Sequence, residues 1–373
     1  MKKLLSFALA IFMLCMLAAC QIAPTETHPP AAETIPATTI PPETSAHIPE
    51  TEPVETVPPT TVPPETEPPE FTISMSFVGD IMLAKDRSHG YDGSFTNYAD
   101  TKEPTYFLEK VVSVFEADDF TIGNLENVLS DRDLSRREKS GSRVFWYKSP
   151  TRYTDILTSS SVEGVSIANN HTFDYGQNGY NDTRKALENA GLEYGYNDKT
   201  MYFEKEGFKI AVICHGLWYE GQEEEIIKRI HEAEKESDFQ IVFYHGGTEK
   251  VHAPDRWKVR ASRRIAENGA DLVLGNHPHV LQPREIHDGV EIVYSLGNFC
   301  YGGNKSPKNR TIIYQVDLTI DKTTMTVKDY DSNIIPCYVY TGSINNFQPA
   351  IIENEAEKQR VLDFMNGSLD LPY

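Results

Sequence analysis

The sequence predicts an α/β protein with buried sheets, and three observations carry that prediction. Strand-like and helix-like segments alternate through residues 71–299, the order that lays helices on the faces of a sheet. Proline is segregated, with 14 of the 23 prolines in residues 21–70. Beyond them lies a body of about 300 residues, long enough to bury a sizeable core.

The chain divides into a head, a linker and this body. Residues 1–19 read as an export signal: Lys2 and Lys3 form a basic start, and an apolar run over 4–17 follows. That run is too short for a comfortable membrane span. Leu17-Ala18-Ala19-Cys20 resembles a bacterial lipoprotein box, which makes Cys20 the expected lipidation site and first mature residue. Two acyl chains give a stable anchor where one gives only marginal binding. Residues 20–70 are then a lipid-anchored stalk, with eleven Thr, nine Glu and no Lys, Arg or Asp between 21 and 70. Such a tract cannot bury a core and favours extended polyproline conformation. The main domain is expected over 71–345, and a C-terminal helix and tail over 346–373.

Charge and cysteine exclude several classes. The formal charge is −20, of which the linker holds −9, and the body has 46 acids against 33 bases. A net acidic surface argues against general nucleic-acid binding and against attachment to anionic lipid by charge alone. Cys214, Cys300 and Cys337 allow at most one disulfide, so the body is no disulfide scaffold. Their spacing matches no zinc motif.

Within the body, residues 71–78 alternate, with Phe71, Ile73, Met75 and Phe77 on one face. They read as a half-buried strand that stops at Gly79-Asp80. Residues 104–116 read as one helix, with Phe107, Val111 and Phe115 at i, i+4, i+8. A short strand over 120–122 runs into Gly123-Asn124-Leu125-Glu126, and another over 165–168 runs into Asn169-Asn170-His171. A helix through 184–190 closes at Gly191, a good C′ residue. A strand over 210–214 precedes a charged helix over 223–235. The strand over 240–244 ends at His245. Pro254 opens a helix carrying Trp257, Ala261 and Ile265, closed by Gly269. The strand over 272–274 runs into Gly275-Asn276-His277-Pro278-His279. After Phe299, residues 311–320, 324–328 and 334–340 read as strands that finish a second sheet, and 353–366 as a final helix.

Five of these strands end in residues able to bind metals: Asp80, Asn124/Glu126, Asn170/His171, His245 and His277/His279. Ligand sites in α/β sheets gather beyond the carboxyl ends of the strands. Carboxylate, amide and imidazole donors suit hard-to-borderline divalent ions such as Mn²⁺, Zn²⁺ or Fe²⁺, and no Cys takes part. Each residue alone has an ordinary reading: Asp80 a turn or cap, Asn169-Asn170 a turn, His245 a structural imidazole. The joint pattern is what points to a site. His89, His215, His231, His252 and His287 are read as structural or surface residues. Between 131 and 150, six bases stand against three acids in an otherwise acidic body. Arg forks suit carboxylate or phosphate, so Arg136, Arg137 and Arg143 are expected at the substrate, the alternative being a solvated loop. Phe145-Trp146-Tyr147 reads as a cleft wall or the start of a buried segment.

Six runs then resemble one family. They are Phe77-Val78-Gly79-Asp80; Gly123-Asn124-Leu125-Glu126; Ala168-Asn169-Asn170-His171 with Asp174-Tyr175-Gly176; His245-Gly246-Gly247 with Glu249; Gly269-Ala270-Asp271 through His277-Pro278-His279-Val280-Leu281-Gln282; and Tyr294-Ser295-Leu296-Gly297-Asn298-Phe299. Their order is similar to that of the CapA, or poly-γ-glutamate capsule synthesis, family, related in fold to the calcineurin-like metallophosphoesterases. The resemblance implies a metallophosphoesterase-like double β-sheet sandwich flanked by helices, with a dinuclear metal centre. By position, Asp80 and His279 would bind the first ion, Asn170, His245 and His277 the second, and Glu126 would sit near both. His171 would be the general acid or the phosphate-contacting residue, and Asn124 and Asn298 would face substrate. Three positions depart from the patterns: Met82 stands where metallophosphoesterases carry His, Asn124-Leu125-Glu126 replaces an Asp-rich motif, and Gly246 stands where CapA proteins usually carry Trp.

The resemblance also implies a role in synthesis, export or attachment of an anionic surface polymer such as poly-γ-glutamate, at the extracytoplasmic face of the membrane. The expected partners are the membrane, through the lipid anchor, an anionic polymer or phosphoester substrate, and membrane polymer-synthase subunits, with no nucleic acid. Two rival readings are a non-catalytic subunit of such a synthase, with a vestigial metal site, and a general cell-envelope phosphoesterase.

Overall fold

The computed structural model describes residues 69–86, 89–141 and 144–373. The export signal, Cys20, the stalk up to residue 68 and Arg143 lie outside the described residues. In chain order the strands are β1 (Glu70–Met82), β2 (Phe120–Leu125), β3 (Val128–Leu129), β4 (Lys148–Ser149), β5 (Gly164–Ser166), β6 (Glu193–Gly195), β7 (Met201–Lys205), β8 (Phe208–Gly216), β9 (Phe239–His245), β10 (Leu272–Asn276), β11 (Leu281–His287), β12 (Val290–Leu296), β13 (Asn298–Tyr301), β14 (Thr311–Asp321), β15 (Thr326–Tyr338) and β16 (Ala350–Ile351). The helices are α1 (Phe95–Thr101), α2 (Val112–Phe115), α3 (Thr154–Thr158), α4 (Gly176–Ala190), α5 (Glu223–Ala233), α6 (Arg256–Ala266) and α7 (Glu355–Met365). No helix among the described residues is long and apolar enough to cross a membrane.

Two sheets pack face to face, as expected of an α/β sandwich. One has the order β16-β15-β14-β1-β2-β5-β6, with β13 also paired to β1; the other runs β11-β12-β10-β9-β8-β7. The period-2 alternation explains the layering. Phe71, Ile73, Met75 and Phe77 of β1 meet Ile210, Val212, Ile241, Phe243, Leu272 and Leu274 in the core between the sheets. The opposite residues of the second sheet, among them Ala211, Ile213, Val242 and Val273, pack under Ile226 and Ile230 of α5 and Ala261 and Ile265 of α6. Leu157 of α3 and Leu187 of α4 cover the outer face of the first sheet. Val361, Phe364 and Met365 of α7 join the central core.

Within the sheets, β1-β2-β5-β6 and β8-β9-β10-β12 run parallel. Their carboxyl ends therefore point one way, and that is where the site forms. β14 and β15 are antiparallel additions.

Several expected boundaries need correction. β1 does not stop at Gly79-Asp80 but continues to Met82. A side chain at Gly79 would place its Cβ 1.9 Å from Gly297 O, so only glycine lets the loop before β13 close over it. Asp80 N then donates to Gly297 O at 2.9 Å. The pairing of β1 with β2 shifts register between Phe77 and Asp80, an irregularity of the kind that re-aims a side chain. Residues 104–116 are not one helix: a 3₁₀ turn over Pro104–Phe107 is followed only by the short α2. Its three apolar residues are all buried, so packing of apolar anchors gave the helical spacing without one continuous helix. The runs 324–328 and 334–340 belong to one strand, β15. α4 begins at Gly176, well before the apolar spacing indicates.

Candidate metal centre

The donors come from the carboxyl ends of both sheets. Asp80 lies in β1, and β2 carries Asn124 and delivers Glu126. β5 leads to Asn170 and His171, and β9 ends on His245. β10 leads to His277 and His279. Asp80 and Glu126 are wholly buried, and His245 and His277 nearly so. One main-chain and one side-chain bond fix the turns: Glu126 N donates to Ile81 O at 2.8 Å, and Asn169 Nδ2 donates to Leu125 O at 2.8 Å. His277 and His279 both have positive φ, 95° and 57°. Such conformations cost energy in non-glycine residues and cluster at functional sites. Lys250 N clamps the turn between them, donating to Pro278 O at 2.7 Å.

The structure brings together Asp80, Asn124, Glu126, Asn170, His245, His277 and His279. Asn124 Nδ2 donates to Asp80 Oδ1 at 2.8 Å and lies 3.0 Å from His245 Nδ1. His245 Nε2 lies 3.0 Å from Asn170 Oδ1 and 3.0 Å from His277 Nδ1. It also faces Glu126 Oε1 at 3.5 Å. His279 Nδ1 contacts Asp80 Oδ2 at 3.0 Å and donates to Asn298 Oδ1 at 3.0 Å. Two donor groups result, Asp80/Glu126/His245 and Glu126/His277/His279, with the ligand atoms of each group within 4.8 Å of one another. Glu126 belongs to both.

The electrostatics of this cluster call for positive charge. Burial raises the pKa of Asp80, yet the imidazoles of His245 and His279 outweigh it and hold the carboxyl far below its usual range. Burial would deprotonate His279, but Glu126 and Asp80 push it up to about 10. His245 rises for the same reason, against its own burial. His277 moves the other way: burial and the neighbouring imidazoles hold it well below the ordinary value, leaving a neutral ring with a lone pair to give. Both carboxylate oxygens of Glu126 are buried without a hydrogen-bond partner. Leaving one such atom unsatisfied costs ~1–3 kcal/mol or more. Divalent cations among these oxygens and imidazoles would satisfy both carboxylates, so the donor set fits the metal implied by the sequence.

His171 stands apart from the donors. Its Nδ1 is 2.8 Å from Asp174 Oδ2, and its Nε2 faces Glu126 Oε1 at 3.9 Å. Lys139 reaches the other oxygen of the buried Asp174, and Tyr147 N donates to Asp174 Oδ2 at 2.8 Å. Neither Asp174 nor Lys139 had been given a role from the sequence. A carboxylate three residues after a candidate acid was the available signal for the former. The 131–150 loop spends much of its charge on itself. Arg132 pairs with Asp182 at 2.7 Å, and Lys148 donates to the carbonyls of Ser130 and Arg132 at 3.0 Å. Arg136 stacks on Trp146, 4.6 Å from the ring centroid. Arg137 lines the clefts beside Asn170. Phe145 is exposed on the cleft wall while Tyr147 is buried at its base, so the aromatic run serves both expected roles.

The main cleft above the cluster has a volume of about 650 Å³ and is lined by Tyr147, His171, His279, Asn298 and Tyr301. Lys250, Lys305 and Lys308 stand around it, and all three were passed over in the sequence. Trp218, after β8, was also missed, although strand-end position alone would have singled it out. Cys214, Cys300 and Cys337 are buried free thiols, and burial pushes Cys214 up to about 12.

Residues 74–302 match the family described as bacterial capsule synthesis protein PGA_cap. The PGA biosynthesis protein CapA of Bacillus subtilis (strain 168) is 29% identical over 251 residues, which are 61% of this chain and 63% of that protein. The chain thus aligns with less than two thirds of that relative's length. The capsule biosynthesis protein CapA of Bacillus anthracis is 23% identical over 322 residues, 80% of this chain and 75% of that protein. Among solved structures, a novel phosphatase from Mycoplasma pneumoniae aligns with a TM-score of 0.42 at 14% identity, over 72% of this chain and 94% of that one. A hypothetical protein from Thermus thermophilus aligns with a TM-score of 0.45 at 12% identity, over 71% of this chain and 99% of that one.

Proposed function

Since the chain belongs to the bacterial capsule synthesis protein PGA_cap family, we propose that it is an envelope protein acting in synthesis, export or attachment of an anionic surface polymer, poly-γ-glutamate foremost, through a hydrolase-like centre of two divalent ions. The observation that carries this reading is Glu126, buried, without hydrogen-bond partners and common to both donor groups. Oxygen and imidazole donors favour Mn²⁺, Zn²⁺ or Fe²⁺. Bound there, the ions would supply an activated water and neutralise charge on an anionic reacting group. The chain's own residues do the rest. Asp174 orients His171, whose Nε2 edge faces the cluster, placed to give a proton to a departing oxygen. Lys139 pairs with the other carboxylate oxygen of Asp174. Asn124 and Asn298 fix the rings of His245 and His279. An anionic substrate is supported by Lys250, Lys305 and Lys308, which ring the cleft and make no ion pair with a described residue.

A second reading, a non-catalytic partner of membrane polymer-synthase subunits, draws support from Met82. That side chain is buried beside Ala84, Tyr147 and Tyr301 and gives such ions no useful ligand. Metal analysis of purified, metal-supplemented protein decides between the two. About two ions per chain are expected, falling in Glu126→Ala; a folded protein holding none gives way to the second reading.

The same proposal places the body at the outer face of the membrane through a lipid on Cys20. Cys20→Ser is expected to move the protein from the detergent phase to the aqueous phase. Unchanged partition removes the anchor from the proposal.

A further inference from the structure

Trp218 follows β8 and stands against the donor cluster. Its indole meets His277 edge-on, with ring centroids 5.3 Å apart at 89°, and meets His245 at 5.7 Å and 69°. Edge-to-face contact is a favoured geometry for aromatic rings. The space for it is reserved by two glycines. A Cβ on Gly216 would come within 2.6 Å of Trp218 Nε1, and a Cβ on Gly246, beside His245, within 1.7 Å of Leu217 O. The backbone under the indole is tied to the site, because Leu217 N donates to His245 O at 2.9 Å. Trp218 N donates to Gln222 Oε1 at 2.8 Å, which fixes the start of the side chain.

His277 needs such a neighbour. Metal-binding histidines ordinarily give their second ring nitrogen to a carboxylate or carbonyl, which sets the plane of the ring. His245 has amide partners in Asn124 and Asn170, and His279 has Asn298. The only hydrogen-bond contact of His277 among the described residues is to another imidazole, that of His245. Its backbone is held at φ 95°, and its ring plane is left to packing. Trp218 supplies that packing while remaining 39% exposed, its outer side walling a cleft of about 270 Å³ with Arg137, Phe173 and Tyr196. The other two tryptophans lie elsewhere: Trp146 stacks with Arg136 and Trp257 packs on the outer core of the second sheet.

We infer that Trp218 is a positioning residue of the metal centre, holding the imidazole of His277, and with it that of His245, in the planes from which they face the two donor groups that share Glu126. The inference rests on the metal-centre reading above and adds a residue that no ligand motif contains.

Full-length protein stripped by chelation and titrated with Mn²⁺ tests it, with bound metal measured by equilibrium dialysis and tryptophan emission followed in parallel. The parent is expected to bind Mn²⁺ and to lose emission as the paramagnetic ion fills the site. Trp218→Ala should weaken binding ~10–100-fold, the usual cost of losing a partner behind a metal ligand. Trp218→Phe keeps a ring edge against His277, so it should restore affinity to within a few-fold of the parent. It should also abolish most of the quench, although Trp146 and Trp257 remain. Parent-like affinity in Trp218→Ala, affinity in Trp218→Phe as weak as in Trp218→Ala, or an undiminished quench in Trp218→Phe each overturn the inference while leaving the metal centre standing. A folded parent that binds no Mn²⁺ overturns both.

Discussion

His171 and His277 are both strand-end histidines, but their surroundings give them different work. His277 is a neutral, buried ring whose nitrogen lies 3.0 Å from that of His245. His171 has one nitrogen on a buried carboxylate and the other directed at the cluster. His277→Ala is therefore expected to lower metal content, and the melting temperature with it, because a bound ion stabilises only the folded state. His171→Ala should keep its metal and lose turnover of a generic phosphoester by ~10²–10⁴-fold, the range for lost proton transfer. Metal content, melting temperature and hydrolysis measured on both variants separate these outcomes. Equal loss of metal would make His171 a ligand and send the search for the acid elsewhere. At this scale the sequence showed the donor types, since carboxylates and imidazoles at strand ends are readable from residue identity and position. It could not show that Lys139 reaches Asp174, or that His277 and His279 sit at positive φ. Both facts arise from how loops close in three dimensions.

Elements were legible where one period dominates. β1, β8, β9 and β10 alternate or run continuously apolar, and each forms where the pattern puts it, although β1 runs on past the expected stop to Met82. The segment 104–116 misled because Phe107, Val111 and Phe115 satisfy helical spacing while anchoring two separate turns. The edge strand β7 and the hairpin β11–β12 were passed over; within the hairpin only 281–282 and 294–296 were singled out, as motif residues. A further element-level feature is Lys258 on α6, completely buried, donating to Gln282 Oε1 at 2.9 Å. Its burial lowers its pKa to about 7, against partial support from Asp255 and Asp80. Between about pH 7 and pH 10 the unfolded chain holds this proton and the folded chain does not, so folding stability rises with pH through that window. Below it the lysine is charged in both states and its burial is a constant cost. Lys258→Met should remove this pH-dependent increment, so the difference in melting temperature between parent and variant should change steadily from about pH 7 to pH 9. A difference that stays flat would mean the buried amine keeps its proton.

At the scale of the whole molecule the issue is how a body with 46 acids and 33 bases could hold a polyanion. Net charge would repel it, so attraction must be local, within about a Debye length of the cleft. The sequence placed the attractive charge in the 131–150 loop, the densest basic run. There, Arg132, Lys139 and Lys148 turned out to be engaged by Asp182, Asp174 and backbone carbonyls. Lys305 and Lys308 share the loop between β13 and β14 while Lys250 follows β9, so the three are gathered only by the fold, and the denser 131–150 run drew the reading instead. Lys305→Glu with Lys308→Glu is expected to weaken binding of a γ-linked glutamate polymer on the order of tenfold at low salt, since exposed pairs are worth ~0.2–1 kcal/mol each. Added salt should weaken the parent's binding in the same direction and narrow the gap between parent and variant. Lys228→Glu with Lys235→Glu adds the same negative charge at and just beyond α5, outside the residues that line this cleft. If the α5 pair weakens binding as much as the cleft pair, the effect is global charge. The cleft would then have no claim to the polymer. If neither pair nor salt changes binding, the anionic substrate itself is wrong.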